Sequence, residues 1–510
     1  MATNRRDLLR TLGLTVSAAT LAGCTGGGST GGTATPTTDD DGTDHGGDTG
    51  ATAGADLAVA AQWNVYRARF DDAAALATAG EFAAAADVAT DTFARFESAT
   101  GEYGAHERLE STSHERYEGF EEELGLVKER ANERDLAEVR EARRQGAGHL
   151  YAAQETLVGE SVAHALDLQR LGVRAANARV LATAGRFDAA ADVAARTYEA
   201  FEDADAHEAL ESAAPEQYEA FEGGLEGIEE AAGASDPMAV GDAVDETLAA
   251  AVEGAYAMAG TEAVGAGELA AMQARGFDAV ALVGFGASAA DYADAANGLV
   301  GDVFGDFEDA TVHELLEEAD HDAYESFEHA LEGLAEAAKA GTDVAPALDA
   351  FARASVHAQF AVVGAADQSP VGGGEAGDDG GEPDASLSGG PDVVSGVPDD
   401  ADHVVEMRAV TFDPDSLTVA AGDTVAFAHV DGDAHTVTAV EEGIPSGADY
   451  WNSAGADDQA GAEEAWEHGA GAVQAGQAYV HTFETVGTHE FYCIPHEAAG
   501  MTGTITVEKA

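Results

Sequence analysis

The stretch Phe491–Met501, F-Y-C-I-P-H-E-A-A-G-M, decides how the rest of the chain is interpreted. It places a thiol (Cys493), an imidazole (His496) and a thioether (Met501) close together. A trigonal set of two histidines and one cysteine, with a weak axial methionine, holds copper for electron transfer. The second histidine must lie upstream on a neighbouring strand, and we expect His435, in D-A-H-T-V-T, to supply it. The stretch therefore predicts one mononuclear copper site.

The last hundred or so residues resemble cupredoxins of the plastocyanin, pseudoazurin and halocyanin type. In that family a cysteine ends a strand, a histidine follows three residues later, and a methionine lies five residues beyond the histidine. Cys493, His496 and Met501 have this spacing. The turn A-G-D-T-V at 421–425 and the segment F-D-P-D-S-L-T-V at 412–419 also resemble the family.

The resemblance implies a Greek-key β-sandwich with one type 1 (blue) copper, which exchanges single electrons with redox protein partners. The ligands that it implies are His435, Cys493, His496 and Met501. It also implies that His496 is partly exposed, so that electrons enter and leave through it. The family usually has asparagine after its first histidine, where this chain has Thr436. A hydroxyl replaces the amide's hydrogen bond only in part, so we expect weaker support of the site at this position.

Three further histidines lie near these residues in the sequence. His429 stands six residues before His435 on the same predicted strand, so it is an alternative first ligand. His489 lies four residues before Cys493 and shares its face of the strand. We expect His489 to be a neighbour of the site and not a ligand, while His481 lies on another predicted strand.

The charge of the chain excludes one class of partner. The 510 residues include 24 basic and 96 acidic side chains, for a formal charge of −72. Such a surface repels nucleic acid, and no basic patch reverses the repulsion. The acidic residues are spread over the whole chain, whereas steering of a basic partner needs a patch. We therefore interpret the charge as a halophilic surface adapted to high salt, where screening weakens self-repulsion, and a docking face is the alternative.

The N-terminal residues 1–23 have the pattern of an export signal. Arg5 and Arg6 form a twin-arginine pair, an apolar run follows, and L-A-G-C, ending at Cys24, resembles a lipobox. The run is too short for an ordinary transmembrane helix, although an uncleaved signal anchor is an alternative. We expect a lipid on Cys24, which would hold the protein at the extracytoplasmic face of the membrane. Residues 24–54 predict a flexible, disordered tether.

From 55 to 366 the chain is rich in alanine and acidic residues, and its apolar residues recur at helical spacing. The motif Y-E-x-F-E recurs at Tyr117, Tyr218 and Tyr324. The region therefore contains three copies of a unit of about 105 residues, at about 55–150, 151–255 and 256–366. We expect about four helices in each unit, arranged as small bundles or as one array built from them.

Two features of the repeats predict local structure. Ser113 and Asp320, four residues before repeated tyrosines, are residue types that cap helix N-termini, and Pro215 suits a first helical position. The repeated aromatic residues are expected in the core, because alanine-rich helices need large side chains to fill the space between them.

Each unit also carries a His-Glu pair at a corresponding place: His106-Glu107, His207-Glu208 and His313-Glu314. Acidic residues surround each pair, so one interpretation is a weak metal site in every unit. The other interpretation is a structural role that duplication has copied. The sequence leaves both open.

The C-terminal part has a different pattern. Residues 367–400 are rich in glycine, proline, aspartate and serine, and predict a linker that lets the helical region and the last domain move independently. From 401 to 510, alternating and β-branched runs predict an all-β Greek-key sandwich after the all-α repeats. The acidic insert at 441–476 suits a short helix or partner contacts.

Together these patterns predict a membrane-anchored electron carrier that is not an enzyme. The sequence contains no G-x-S-x-G, P-loop or dinucleotide motif. A mononuclear site with four protein ligands also has no open position for a substrate. An alternative is a metal-binding or metal-delivery protein whose helical units capture iron or copper. A third is an interaction scaffold that carries the copper domain as a passenger.

Overall fold

The computed structural model describes residues 48–281, 289–341, 344–371, 387–398, 401–408, 411–431, 434–497 and 501–509. The predicted signal, the predicted lipidation site Cys24 and most of the predicted tether lie outside these ranges. Across the described ranges, none of the helices has both the length and the apolar character that crossing a bilayer requires.

The helical region consists of three units, and the described residues contain five helices in each. The first unit comprises α1 (Asp48–Thr78), α2 (Phe82–Glu97), α3 (Ala105–Thr112), α4 (His114–Glu133) and α5 (Leu136–Val158). The second comprises α6 (Glu160–Thr183), α7 (Phe187–Glu202), α8 (Asp205–Ala213), α9 (Pro215–Gly233) and α10 (Pro237–Met258). The third comprises α11 (Thr261–Ala281), α12 (Ala289–Asp309), α13 (Thr311–Ala319), α14 (His321–Ala340) and α15 (Val344–Val362).

The count of five helices per unit differs from the four that the sequence predicted. The additional helix is the third of each unit, which has only eight residues in α3 and nine in α8 and α13. A helix of two turns offers too few positions for its apolar period to be distinguished from that of its neighbours.

Local signals set several helix starts, as expected. Ser113, which precedes α4, accepts a hydrogen bond from the backbone N–H of Arg116. Asp320, which precedes α14, accepts one from the N–H of Ala323. Pro215 is the first residue of α9, where an N–H group would have no helical partner. The capping and proline predictions are therefore confirmed.

A buried aromatic pair occurs in all three units. The pairs are Phe96–Phe120, Phe201–Phe221 and Phe307–Phe327, with ring centroids 4.7 Å apart in each. All six rings are fully buried, which confirms the core prediction for these phenylalanines, whereas the repeated Tyr117 and Tyr218 are only half-buried. The first helices of the units, α1, α6 and α11, pack against one another, so the units form one array.

The C-terminal domain consists of two β-sheets that enclose their own hydrophobic core. Its strands are β1 (Val393–Ser395), β2 (His403–Arg408), β3 (Thr411–Asp413), β4 (Ser416–Ala420), β5 (Thr424–Asp431), β6 (Thr438–Ala439), β7 (Gln477–Thr482), β8 (Gly487–Tyr492) and β9 (Thr502–Glu508). One sheet has the order β1-β7-β5-β2-β3 and the other the order β4-β9-β8-β6. The expected order of an all-α region followed by an all-β domain is confirmed.

Two segments of this domain differ from, or add to, the sequence analysis. Strand β1 lies within the stretch 367–400 that the composition predicted to be linker, and it pairs antiparallel with β7. Three residues between turn formers carry too little periodicity to predict a strand. The insert at 441–476 does contain a short helix, α16 (Gln459–Glu467), and its Trp451 is buried in the core of the sandwich.

A buried ion cluster joins the first two helical units. The carboxylate of Asp71 on α1 pairs with Arg143 on α5 and lies 2.7 Å from Nη1 of Arg170 and 3.7 Å from Nε of Arg174 on α6. Burial would raise the pKa of Asp71, but the three guanidinium groups outweigh burial and lower its pKa to about 2. The cluster therefore stabilises the packing of α1 against the second unit.

Replacing Asp71 by Asn should destabilise the protein by about 3–5 kcal/mol, because the buried Arg170 and the partly buried Arg143 and Arg174 lose the carboxylate that they share. Since the pKa of Asp71 in the folded protein lies below its ordinary value of 3.8, its contribution to stability is complete above about pH 4 and is lost as the pH falls through about 2. Urea unfolding at neutral pH and near pH 3 checks both statements, with the exposed Asp242→Asn as control. Equal stability of wild type and D71N at neutral pH would contradict this role.

Candidate metal centre

Residues 493–501 connect β8 to β9, and the two strands are antiparallel neighbours. The backbone N–H of Cys493 donates to the carbonyl of Met501 at 3.0 Å, across the base of the loop. Within the loop, the N–H of Met501 donates to the carbonyl of His496 at 3.0 Å, and the N–H of His496 donates to that of Cys493 at 3.2 Å. These bonds fix the backbone positions from which the three side chains start.

His435 approaches the same place from another strand. It lies just before β6, which pairs with β8. The N–H of His435 donates to the carbonyl of Val473 at 3.1 Å, and the N–H of Val473 donates back at 2.7 Å. His435 is thus held on a segment beside the 493–501 loop, as the sequence analysis expected for the second histidine.

Three donor atoms converge at this end of the sandwich. Sγ of Cys493 lies 3.1 Å from Nδ1 of His496 and 3.9 Å from Nδ1 of His435, and the two Nδ1 atoms are 3.1 Å apart. These residues and Met501 are at most 1 % exposed. Two imidazole nitrogens and a sulfur that face one point are the arrangement a shared ion requires, and a soft sulfur with two imidazoles suits copper. The residues present therefore fit the predicted ion.

Thr436, which stands where the resembling family usually has asparagine, links the two ligand segments. Its hydroxyl accepts a hydrogen bond from the N–H of Ile494 at 2.7 Å, and its own N–H donates to Sγ of Cys493 at 3.3 Å. The first bond joins the His435 segment to the loop, and the second gives the sulfur a donor. Thr436 therefore supports both ligand segments, through its hydroxyl and through its N–H.

The other histidines of the domain occupy different places. The ring of His429 lies 5.2 Å from that of His435, but among the described residues its nitrogens do not belong to the group of donor atoms that lie within 4.8 Å of one another. Nε2 of His489 donates to the carbonyl of Thr485 at 2.9 Å. Burial in the aromatic core lowers the pKa of His481 to about 4.

The outer edge of His496 faces the helical region. Its Nε2 lies 3.0 Å from Oε2 of Glu97, the last residue of α2, and both residues are buried. Because Nδ1 faces the donor cluster, Nε2 carries the hydrogen and donates it to the carboxylate, which is how metal-binding histidines are usually oriented. The expectation that His496 is partly exposed is therefore wrong, because the helical region covers that edge.

Glu97 is a residue of the site that the sequence analysis missed. Its signal was the F-E pair at the C-terminal end of the second helix of every unit: Glu97 and Glu202 end α2 and α7, and Glu308 is the last residue but one of α12. Glu97 and His496 are 399 positions apart, however, and the sequence does not show which of the three copies meets the sandwich.

The ionisable groups around this contact influence one another. Burial would lower the pKa of His496, but the Cys493 sulfur and the Glu97 carboxylate raise it well above its ordinary value. Burial would raise the pKa of Glu97, but His496 and His106 lower it. Burial and the charge of Glu97 raise the pKa of the neighbouring Glu121 to about 9.

Replacing Thr436 by Val should destabilise the copper-free protein by about 1–3 kcal/mol, because the N–H of Ile494 loses its acceptor. Thr436→Ser keeps the hydroxyl and should retain most of the stability. Denaturant unfolding of the three proteins is the measurement. If the valine and serine variants were equally stable, the bond to Ile494 would have no role in holding the site.

Family models match both parts of the chain. Residues 400–508 match the model described as copper binding proteins, plastocyanin/azurin family. Residues 58–297 and 287–370 match a model described as a domain of unknown function, DUF5059.

Individual relatives match the C-terminal part. Plastocyanin of Scenedesmus fuscus is 36 % identical over 100 residues, which are 20 % of this chain and 89 % of that one. Plastocyanin of Rumex obtusifolius is 35 % identical over 101 residues, 20 % of this chain and 90 % of that one. The solved oxidized plastocyanin of Dryopteris crassirhizoma is 30 % identical, aligns over 21 % of this chain and 99 % of its own, and has a TM-score of 0.16. The chain thus belongs to the plastocyanin/azurin family of copper-binding proteins through its C-terminal domain, and to the DUF5059 family through its helical region.

Proposed function

We propose that the protein is an electron carrier whose C-terminal domain binds one type 1 copper ion. The proposed ligands are His435, Cys493, His496 and Met501. The observation that carries the proposal is the buried triangle of one sulfur and two Nδ1 atoms, with sides of 3.1, 3.1 and 3.9 Å. Copper, when bound, supplies a one-electron couple between Cu(I) and Cu(II).

In this function the role of the polypeptide is to hold the four ligands in one geometry. Cys493 and Met501 lie at the two ends of a loop that a backbone hydrogen bond closes. The backbone N–H and the carbonyl of His435 are both hydrogen-bonded to Val473. The burial of all four side chains excludes water from the site. Ligands held in this way need little rearrangement between oxidation states, which favours fast electron transfer.

The carrier would exchange electrons with redox protein partners and would have no catalytic role of its own. Four protein ligands leave no coordination position for a substrate. Membership of the plastocyanin/azurin family supports the same conclusion for the C-terminal domain. The metal-delivery alternative differs in one measurable respect, because a delivery protein has to release its copper.

Copper(II) added to the full-length protein should produce an intense absorption band at about 600 nm, because copper bonded to a thiolate absorbs there. Cys493→Ser and His435→Gln should lose this band, whereas the matched variant His429→Gln should retain it. Absorption and electron paramagnetic resonance spectra are the measurements. A colourless wild-type protein, or a band of undiminished strength in C493S, would refute the proposal.

A second measurement separates a carrier from a delivery protein. The copper-loaded protein is reduced with ascorbate in the presence of a copper(I) chelator and is then reoxidised. A carrier should recover its full visible band, since both oxidation states remain bound. Loss of the copper to the chelator on reduction would favour delivery.

We also propose that the twin-arginine signal exports the protein and that a lipid on Cys24 anchors it at the extracytoplasmic face of the membrane. The support is the sequence alone: the Arg5-Arg6 pair, the apolar run and the L-A-G-C motif. The polar, glycine-rich residues after Cys24 would separate this anchor from the first helix. The folded domains would then be free to reach partners.

Cys24→Ser should move the protein from the membrane fraction to the soluble fraction, because the acyl chains are lost. Cys493→Ser removes the other cysteine and should leave the protein at the membrane, so it is the matched control. Cell fractionation with immunodetection measures the distribution. Membrane association of C24S equal to that of the wild type would show that the lipid is not the anchor.

A further inference from the structure

The three helical units carry the same four side chains in the same arrangement. The sets are Glu97, His106, Tyr117 and Glu121; Glu202, His207, Tyr218 and Glu222; and Glu308, His313, Tyr324 and Glu328. In each unit the histidine Nε2 and the tyrosine hydroxyl form a hydrogen bond, at 3.1, 3.0 and 3.1 Å. The histidine ring also lies 5.2, 5.0 and 5.1 Å from the buried phenylalanine that precedes the glutamate.

The features that all three units share need no ligand to explain them. The bond from histidine to tyrosine joins the short third helix of each unit to the fourth helix, and the phenylalanine packs beneath it. A brace of this kind would be copied with the unit, whatever each copy does afterwards. A binding function must therefore rest on features that one unit has and the others lack.

The first unit differs in the burial of its glutamate. The side chain of Glu97 is 5 % exposed, whereas those of Glu202 and Glu308 are 45 % and 36 % exposed. One oxygen of Glu97, Oε2, accepts the hydrogen bond from His496. The other, Oε1, is buried, lies 3.8 Å from Nε2 of His106, and has no hydrogen-bond donor among the described residues.

A second carboxylate lies beside Glu97. Glu121 lies against Glu97, and the hydroxyl of Tyr117 is bonded to Glu121. Glu97 is buried and Glu121 is partly buried, and two such carboxylates in contact repel each other unless a proton or a cation lies between them. Buried carboxylate oxygens of this kind are usually satisfied, so the place between Glu97 and Glu121 calls for a positive charge.

We propose that Glu97, His106 and Glu121 bind a divalent transition-metal ion, at a second metal site that adjoins the copper centre. One ligand atom from each of the three residues lies within 4.8 Å of the others. Oε1 of Glu97 and Nε2 of His106 face each other across the place for the ion, and Glu121 supplies the third ligand. The hydroxyl of Tyr117, within hydrogen-bonding distance of His106, is a nearby fourth oxygen.

The donor set decides the class of ion. Carboxylate oxygens with one imidazole suit Zn(II), Fe(II) and Mn(II), whereas Cu(I) prefers sulfur ligands. The second site and the cysteine-containing centre therefore select different metals, although they are adjacent. Their different ligand atoms direct each metal to its own site, so the two sites need not be far apart.

The second site would be coupled to the copper centre through Glu97, and this part of the inference rests on the proposed function. A cation on Oε1 draws negative charge from the carboxylate and weakens Oε2 as an acceptor for the hydrogen of His496. The imidazole of His496 then becomes a weaker base towards its own metal. We expect occupation of the second site to raise the reduction potential of the copper.

The test is a calorimetric titration of the copper-loaded, full-length protein with Zn(II). Wild type should bind one zinc ion tightly. His106→Gln and Glu121→Gln should each weaken that binding at least tenfold, since each loses a ligand. His207→Gln is the matched control: it removes the same residue type and the same tyrosine bond from the second unit, and it should leave tight binding unchanged.

Glu121→Gln also separates a ligand from a structural group. It removes one of two repelling carboxylates, so unfolding should show no loss of stability while zinc affinity falls. Absence of tight zinc binding to the wild type, or equal binding by wild type, H106Q and E121Q, would overturn the proposal.

Potentiometry then tests the coupling. Zinc should raise the copper potential of the wild type and not that of E121Q, and an unchanged wild-type potential would overturn the coupling. The same calorimetric comparison, with and without Glu121→Gln, is repeated in a Cys493→Ser background, which lacks the sulfur of the copper centre, so failure of copper loading is distinguishable from failure of this site.

Discussion

The antiparallel pairing of β8 with β9 is the constraint on which the metal centre depends. Neighbouring antiparallel strands place the residue after one strand beside the residue before the next, so Cys493 meets Met501 across the base of their loop. The pairing of β6 with β8 brings the His435 segment to the same end of the sheet. A shift of one residue in either register would turn ligand side chains to the opposite face. The centre is therefore a property of the sheet as much as of the loop.

Local signals could be predicted from the sequence because they act over a few residues. Signals of this kind are the spacing of Cys493, His496 and Met501 within one loop, and the capping role of Ser113. The position of His435 was inferred with the help of a family resemblance, since the residues alone left His429 open. Short elements were missed, because the short third helices and strand β1 have too few residues to show a period.

The contact between His496 and Glu97 could not be predicted, for a different physical reason. It depends on how two separately folded regions meet, and the composition of the chain between them suggests only a linker. Each partner also has an unremarkable local sequence: Glu97 ends one of three similar helices, and His496 matches a motif in which a partly exposed histidine was expected. The burial of the Glu97 and His496 side chains, at 5 % and 2 % exposure, appears only in the folded structure.

The distribution of arginine explains part of the surface charge. The chain has 24 basic residues against 96 acidic ones, and several of the arginines are buried inside the helical region. Arg67 and Arg170 are buried and pair with Asp167, and Arg170 also pairs with Asp71. Cations used in this way cannot neutralise the surface. The exposed carboxylates repel one another, and ions of the solvent are left to screen the repulsion.

Duplication supplied three copies of one helical unit, and the junction with the sandwich makes the first copy different. In this copy a carboxylate that is partly exposed in the other two becomes buried, which is costly unless each of its oxygens finds a partner. His496 supplies the partner for Oε2. Because the same carboxylate orients a proposed copper ligand and faces His106 and Glu121, any movement at the end of α2 changes the hydrogen bond on His496. The helical region is therefore placed to alter the copper centre without contributing a ligand to it.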